Sequence, residues 1–254
     1  MKFSSEIFLY YVIITLLMAY VWLFDIDGVL INITKDPKKD PHLKAYQRDY
    51  REVLGVEVPS AFIRNAYGMT HIEMHRYIIS KPYIALKLKE QGLLFNDDLS
   101  RRLTDAHLPH LMEELQALKY IEPLDGVVKF LTCLQRNNQY IGVVTGNLKE
   151  PVDLILKRSG LGGFFSLISC DDGKSTREQI LERAIDEASK RKYDFNRVVV
   201  IGDTTRDIEA GKYINAFTVA VATGSEDLET LKGKNPDITL QSLNDYREIL
   251  AVLK

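Results

Sequence analysis

The chain has 254 residues, 46% hydrophobic and 27% charged, a composition that supports a packed globular core and excludes a disordered polymer. Thirty-three Lys and Arg against 35 Asp and Glu leave a net charge of -2, which supplies no basic field to hold a nucleic-acid backbone, so no nucleic-acid partner is expected. The two cysteines, Cys133 and Cys170, lack metal-ligand spacing and read as reduced packing residues, which favours a cytoplasmic setting.

The first feature in chain order is an uncharged run from Ile7 to Phe24, on length alone at the threshold of a membrane-spanning helix. Its last part, Tyr20 to Phe24, is predicted as a strand because it delivers the carboxylates of "FDIDGVL", and a strand inside a fold cannot also lie in lipid. Three readings stay open for the hydrophobic segment 1–19: a chain start at Met18 with dispensable residues before it, a membrane tether or uncleaved signal through residues 7–19, and an extra packed helix. The first is preferred, and membrane contact is not favoured.

From residue 35 to 119 the pattern is helical. Leu43, Tyr46, Tyr50, Val53 and Leu54 recur at helical spacing and Gly55 closes the segment. Thr70 to Glu90 is a weaker stretch interrupted by Pro82, and Leu99, Leu103, Leu108, Leu111, Leu115 and Leu118 stripe one face of a further helix. Among its polar residues Arg64, His71, His75, Arg76 and Lys81 are candidates without assigned roles. His71 and His75 stand four apart, but with no third ligand in view they are expected on a solvated face.

From Tyr140 strands and helices alternate. "YIGVVTGN" leads to "PVDLILKRSG", "FFSLIS" leads past "CDDGKS" to a helix ending near Lys192, and "RVVVIGDTTRD" opens another, followed by "FTVAVATG" and "DITL". Short Val/Ile-rich runs without alternation are strands buried on both faces, so the expected fold is α/β: a doubly wound, Rossmann-like parallel sheet from segments 20–34 and 120–254, carrying the all-α insertion 35–119. Ligands in such sheets sit at the carboxyl ends of the strands, where Asp25, Asp27, Thr145 to Asn147 and Asp203 fall.

"FDIDGVL", "VVTGN", Lys174 and "GDTTRD" resemble, in order and position, the four motifs of the haloacid dehalogenase superfamily, in its phosphatase branch with a helical cap. The resemblance runs from about residue 20 to the C-terminus and extends to phosphoglycolate phosphatase-like enzymes. It implies a Mg²⁺-dependent phosphatase of a small phosphorylated metabolite, with Asp25 as nucleophile, Asp27 as acid and base, and Asp25, the Asp27 carbonyl and Asp203 as metal ligands. Asp207 would support that site or bind through water.

The residue chemistry agrees with that reading. A carboxylate nucleophile splits phosphate ester hydrolysis into two steps, a second carboxylate protonates the leaving alcohol, and Mg²⁺ prefers oxygen ligands. The Thr145 hydroxyl and the Gly146 and Asn147 N–H groups form a phosphate cradle near a helix start, and Gly28 keeps the backbone small where the chain leaves for the cap. The Lys174 ammonium would neutralise both phosphoryl group and nucleophile. The proline that usually adjoins the family's lysine is missing here, and Arg177 is the fallback; Asp171 and Asp172 are expected to hold the loop.

Four enzymatic or signalling rivals are weighed against the phosphatase, and a non-catalytic membrane-tethered binding protein would leave the complete set of polar residues unexplained. A phosphomutase of the sugar-phosphate type uses the same site, and a phosphonatase requires a cap lysine that forms an imine. A receiver-like signalling module shares the phosphoryl-Asp, Thr and Lys but gains nothing from Asp27 or a lid. A dehalogenase needs neither metal nor Asp27.

Overall fold

The computed structural model describes residues 19–34, 36 and 38–253. The Ile7–Phe24 run divides accordingly: its last five residues form strand β1 (Tyr20–Phe24), and the readings offered for residues 1–18 lie outside the described residues. Among the described residues no helix is long and apolar enough to cross a membrane.

After β1 the insertion contributes five helices: α1 (Pro41–Leu54), α2 (Ser60–Arg64), α3 (His71–Ile79), α4 (Pro82–Glu90) and α5 (Asp97–Ala117). Asp40 starts α1 by accepting from the Leu43 N–H at 3.0 Å, and Gly55 ends it with φ 64°. Pro82 does not kink a helix; it opens α4 at the first helical position, where a missing N–H costs nothing. The striped helix α5 serves two cores. Leu99 and Leu103 pack with Tyr46, Tyr50 and Ile63 inside the cap, whereas Leu111 and Leu115 pack with the sheet layer.

The remaining elements alternate: α6 (Val127–Arg136), β2 (Tyr140–Thr145), α7 (Lys149–Arg158), β3 (Leu167–Cys170), α8 (Arg177–Lys190), β4 (Arg197–Gly202), α9 (Thr205–Tyr213), β5 (Phe217–Val221), α10 (Leu228–Gly233), β6 (Ile238–Leu240) and α11 (Tyr246–Val252). All pairings are parallel, in the order β3-β2-β1-β4-β5-β6, the doubly wound sheet expected. Helix α6 has no counterpart in the sequence reading. It supplies Phe130, whose ring meets Trp22 and Phe24 edge-on at 5.4 and 5.8 Å.

Side chains alternate along β1 as a two-sided strand requires. Trp22 and Phe24 face the layer of α6, α7 and α11; Val21 and Leu23 face α8 and α9. With both faces buried, the polar residues can emerge only at the strand ends. Because β2 and β4 flank β1 while the chain winds outward on either side, the crevice above β1 and β4 is the switch point of the sheet, and the cap stands over it.

Candidate active site

Asp25 follows β1 directly, and its N–H donates to the Ile201 carbonyl on β4 at 3.0 Å. The next residues turn tightly around the Ile26 carbonyl, which accepts from Leu30 at 2.8 Å and Ile31 at 3.1 Å. Gly28 sits in this turn with φ 77°, and a Cβ there would lie 2.4 Å from Asp203 Oδ2, so strain and space both demand glycine. Above the turn lies a cavity of about 70 Å³. The core contributes Asp25, Asp27, Thr145, Gly146, Asn147, Arg177 and Asp203, and the cap contributes His42, Tyr46, Tyr67, Met69 and Met74.

Three buried carboxylates meet here: oxygens of Asp25, Asp203 and Asp207 all lie within 4.8 Å of one another. Burial raises the Asp25 pKa to about 6; the Arg177 guanidinium opposes this, and the Asp207 charge adds to it. Burial, then Asp207 and Asp25, hold the Asp203 carboxyl well above its ordinary value. Arg177, first residue of α8, supplies the compensating charge, bonding Asp207 Oδ1 and reaching Asp25 Oδ1 at 3.1 Å. Burial works against its charge, but the two carboxylates outweigh that and raise its pKa. Asp207 is held further by its capping box at the start of α9, where Oδ2 accepts from the Thr204 N–H at 3.1 Å and hydroxyl at 2.7 Å. Asp203 Oδ2 accepts from the Ser225 N–H at 3.0 Å.

The cradle residues stand at the end of β2. Thr145 is buried, and its Oγ1 accepts from the Asn147 N–H at 3.2 Å. A Cβ on Gly146 would meet the Met69 carbonyl oxygen of the cap at 3.0 Å and Arg177 Nη1 at 3.4 Å, so the bare backbone lets cap and cation approach. Asn147 does more than present its N–H. Its Nδ2 donates to Asp27 Oδ2 at 2.9 Å, and His42 Nε2 lies 3.4 Å from the same oxygen. Asp27 Oδ1 is buried with no hydrogen-bond partner among the described residues, Asp25 Oδ1 is met by Arg177, and Asp25, Asp27 and His42 all line the cavity.

The structure corrects the expectation for Lys174. It brings Asp25, Asp27, Thr145, Gly146, Asn147, Asp203 and Asp207 together but leaves Lys174 exposed, on an outer cleft with Gln179 and Glu182. The cause is local: Asp172 Oδ1 accepts from the N–H groups of Lys174 and Ser175, at 3.2 and 3.0 Å, making a turn that aims Lys174 outward. Thr176 then caps α8, and the buried residue that follows is the fallback, Arg177.

A second correction concerns the histidines. His71 and His75 are buried, not solvated, and all five histidines of the chain cluster inside the cap. Asp49 accepts from ring Nδ1 of His107 and of His110, each at 2.6 Å, Tyr50 meets His75 Nδ1 at 2.8 Å, and Tyr46 stacks on His107 at 3.9 Å. No sequence signal joined these residues except the helical spacing of Tyr46 and Tyr50, which was read as apolar. His42, which lies 3.4 Å from Asp27 Oδ2, carries no sequence signal of that contact either.

Lys174→Ala should leave catalysis within about twofold of wild type, as expected for a surface change away from the site. Arg177→Ala should abolish it and cost roughly 3–5 kcal/mol of stability, because two buried carboxylates lose their cation. Steady-state kinetics and urea unfolding of both variants check this, and a damaging Lys174→Ala beside a harmless Arg177→Ala would reverse the assignment.

The sequence profile described as haloacid dehalogenase-like hydrolase matches residues 22–221. A phosphonoacetaldehyde hydrolase of Bacillus cereus is 24% identical over 214 residues, covering 81% of this chain and 76% of that protein. A phosphoglycolate phosphatase of Synechococcus elongatus is 24% identical over 136 residues, covering 54% of this chain and 63% of that protein. Among solved structures, a β-phosphoglucomutase from Clostridium difficile superposes with a TM-score of 0.69 at 20% identity, covering 92% of this chain and 97% of that one. A hydrolase from Pseudomonas syringae gives 0.67 at 19% identity, with coverages of 92% and 97%. These likenesses establish the fold, and the profile, spanning most of the chain, establishes the family: the protein belongs to the haloacid dehalogenase-like hydrolases.

Proposed function

We propose that the chain is a Mg²⁺-dependent phosphatase of a small phosphate monoester, working through an aspartyl-phosphate on Asp25. The observation that carries this reading is the set of buried carboxylate oxygens left short of hydrogen-bond donors in one small cavity. Asp27 Oδ1 is buried without a partner and Asp25 Oδ1 is met by the Arg177 guanidinium, beside the Thr145–Asn147 cradle. An acidic turn that only capped a helix would have satisfied those oxygens.

In the first step Asp25 attacks phosphorus, the ester oxygen departs, and Asp27 gives it a proton. In the second, Asp27 takes a proton from water as that water attacks the phosphoryl group, and Asp25 is released together with inorganic phosphate. Asn147 fixes Asp27 for both steps by occupying Oδ2, which leaves Oδ1 toward the cavity. Arg177 offsets charge on Asp25 and on the transferring group. The oxygen donors of Asp25, Asp203 and the Asp27 carbonyl suit a hard cation, with Asp207 in support, and the mutual repulsion of the carboxylates favours one. When bound, Mg²⁺ supplies Lewis-acid neutralisation of the phosphoryl oxygens.

The phosphonatase reading, which the Bacillus relative brings forward, requires an imine-forming lysine. Among the described residues lining the cavity there is none; His42, Tyr46 and Tyr67 stand on the cap side. A phosphomutase would return the phosphoryl group to substrate, so release of free phosphate in proportion to substrate consumed separates it from a phosphatase.

Asp25→Asn should lose turnover by at least about 10³-fold with the fold intact. Asp27→Asn should lose roughly 10²–10⁴-fold on an alkyl phosphate and much less on p-nitrophenyl phosphate, whose leaving group needs no proton. Equal losses on the two esters would remove Asp27 from the acid role. The pH dependence follows from Asp25. Its folded pKa, raised from 3.8 to about 6, favours the protonated folded state, so metal-free stability contributed by this group is present below 3.8 and is lost as pH rises through about 6. Mg²⁺ competes with that proton and should raise Tm more at pH 8 than at pH 5. Thermal melts with Mg²⁺ and with chelator test this, and a Tm gain that shrinks with rising pH contradicts it.

A further inference from the structure

Besides His42, the cap touches the catalytic loops through a short segment, Tyr67 to His71. The Tyr67 carbonyl accepts from Arg206 Nη1 at 3.1 Å, a Cβ on Gly68 would meet the Thr204 side chain at 2.9 Å, and the Met69 carbonyl lies over Gly146. The segment ends at His71, the first residue of α3. Its backbone N–H and its ring Nδ1 both reach Asp171 Oδ2, each at 2.8 Å.

Asp171 sits just beyond β3 and is tied to the cradle from the other side. Its N–H donates to the carbonyls of Thr145 at 3.1 Å and Asn147 at 3.0 Å, and its Oδ1 accepts from the Gly173 N–H at 2.9 Å. A single carboxylate thereby joins the cap, the phosphate cradle and the loop that leads to Arg177. His71 and Asp171 are 2% and 4% exposed, so the bonds between them are made in a nearly dry boundary. The His71 ring is backed by His107 at 5.1 Å, which Asp49 holds and on which the cavity residue Tyr46 stacks. The histidine cluster thus ends, toward the core, on the cradle.

We propose that His71 and Asp171 are positioning residues that lock the closed cap onto the phosphate cradle, so that the cap wall and Thr145–Asn147 come into register together. The proposal rests on the phosphatase reading of the same site. Neither residue touches the phosphoryl group. Asp171 acts through the Thr145 and Asn147 backbone, and His71 acts through α3 and His107. The lock is two-state because a carboxylate stripped of two donors in a dry boundary is strongly disfavoured: the pair is either sealed, or fully parted and hydrated.

The test compares wild type with His71→Ala and with His71→Asn, whose side-chain N–H falls near the position of Nδ1. Two monoesters are used: ethyl phosphate, which is small, and p-nitrophenyl phosphate, whose aromatic ring demands more room beneath the cap. His71→Ala should cut kcat for ethyl phosphate by a factor roughly tenfold greater than for p-nitrophenyl phosphate, as misplacement of a closing element does, and His71→Asn should recover most of the loss. Amide hydrogen exchange, read without substrate, should accelerate at residues 67–71 and 145–147 in His71→Ala. A parallel loss on both esters that tracks a fall in Tm, or unchanged exchange in those segments, overturns the proposal. If wild type hydrolyses neither ester, the phosphatase reading fails instead, and the exchange measurement still decides the lock.

Discussion

The structure turns on charge confined to the crevice above β1 and β4. Asp25, Asp203 and Asp207 present oxygens within 4.8 Å of one another, all buried. Like charges so placed in a medium of low dielectric repel strongly and must be neutralised or protonated. Arg177 is the response within the chain, and it bonds Asp25 and Asp207, the two carboxylates whose charge acts most on Asp203. Much of the surrounding backbone is shaped by this demand. Gly28 and Gly224 lie where a Cβ would strike the Asp203 carboxylate, and Gly202 lies where one would strike Asp207.

The same demand links catalysis to the fold's topology. A parallel sheet buried on both faces exposes polar side chains only at strand ends, and the two strands that open the crevice carry the acidic residues. The cap then sets the dielectric. Its residues His42, Tyr46, Tyr67, Met69 and Met74 close the cavity to about 70 Å³, strengthening each electrostatic contact within it. A lid that does this must return to one position, and the buried bonds of His71 to Asp171 give it a place to return to.

The cap interior is itself organised by a charge. Asp49, fully buried on α1, is shared by two histidines of α5, which binds the two longest helices of the cap across their apolar contact. Burial raises its pKa to about 7, with His110 and then His71 acting the other way. Around it the aromatic and imidazole rings stack into a continuous layer that reaches the cavity wall at Tyr46.

The sequence by itself determined the elements whose signal is local. Strand β1 and its two aspartates, the parallel sheet, the helical cap and the placement of Thr145–Asn147 at a strand end were all legible, because apolar runs, capping residues and short strand-end motifs act within a few residues of themselves. Tertiary structure alone decided which cation faces Asp25. Lys174 and Arg177 are three residues apart, and an Asx-type turn at Asp172 together with the start of α8 sends one outward and the other inward. It also decided that His71, His75, His107 and His110 are interior, since their partners lie 25 to 100 residues away in sequence, on α1 and beyond β3. Spacing along a chain carries no record of such contacts, because they are set by how helices pack after they form.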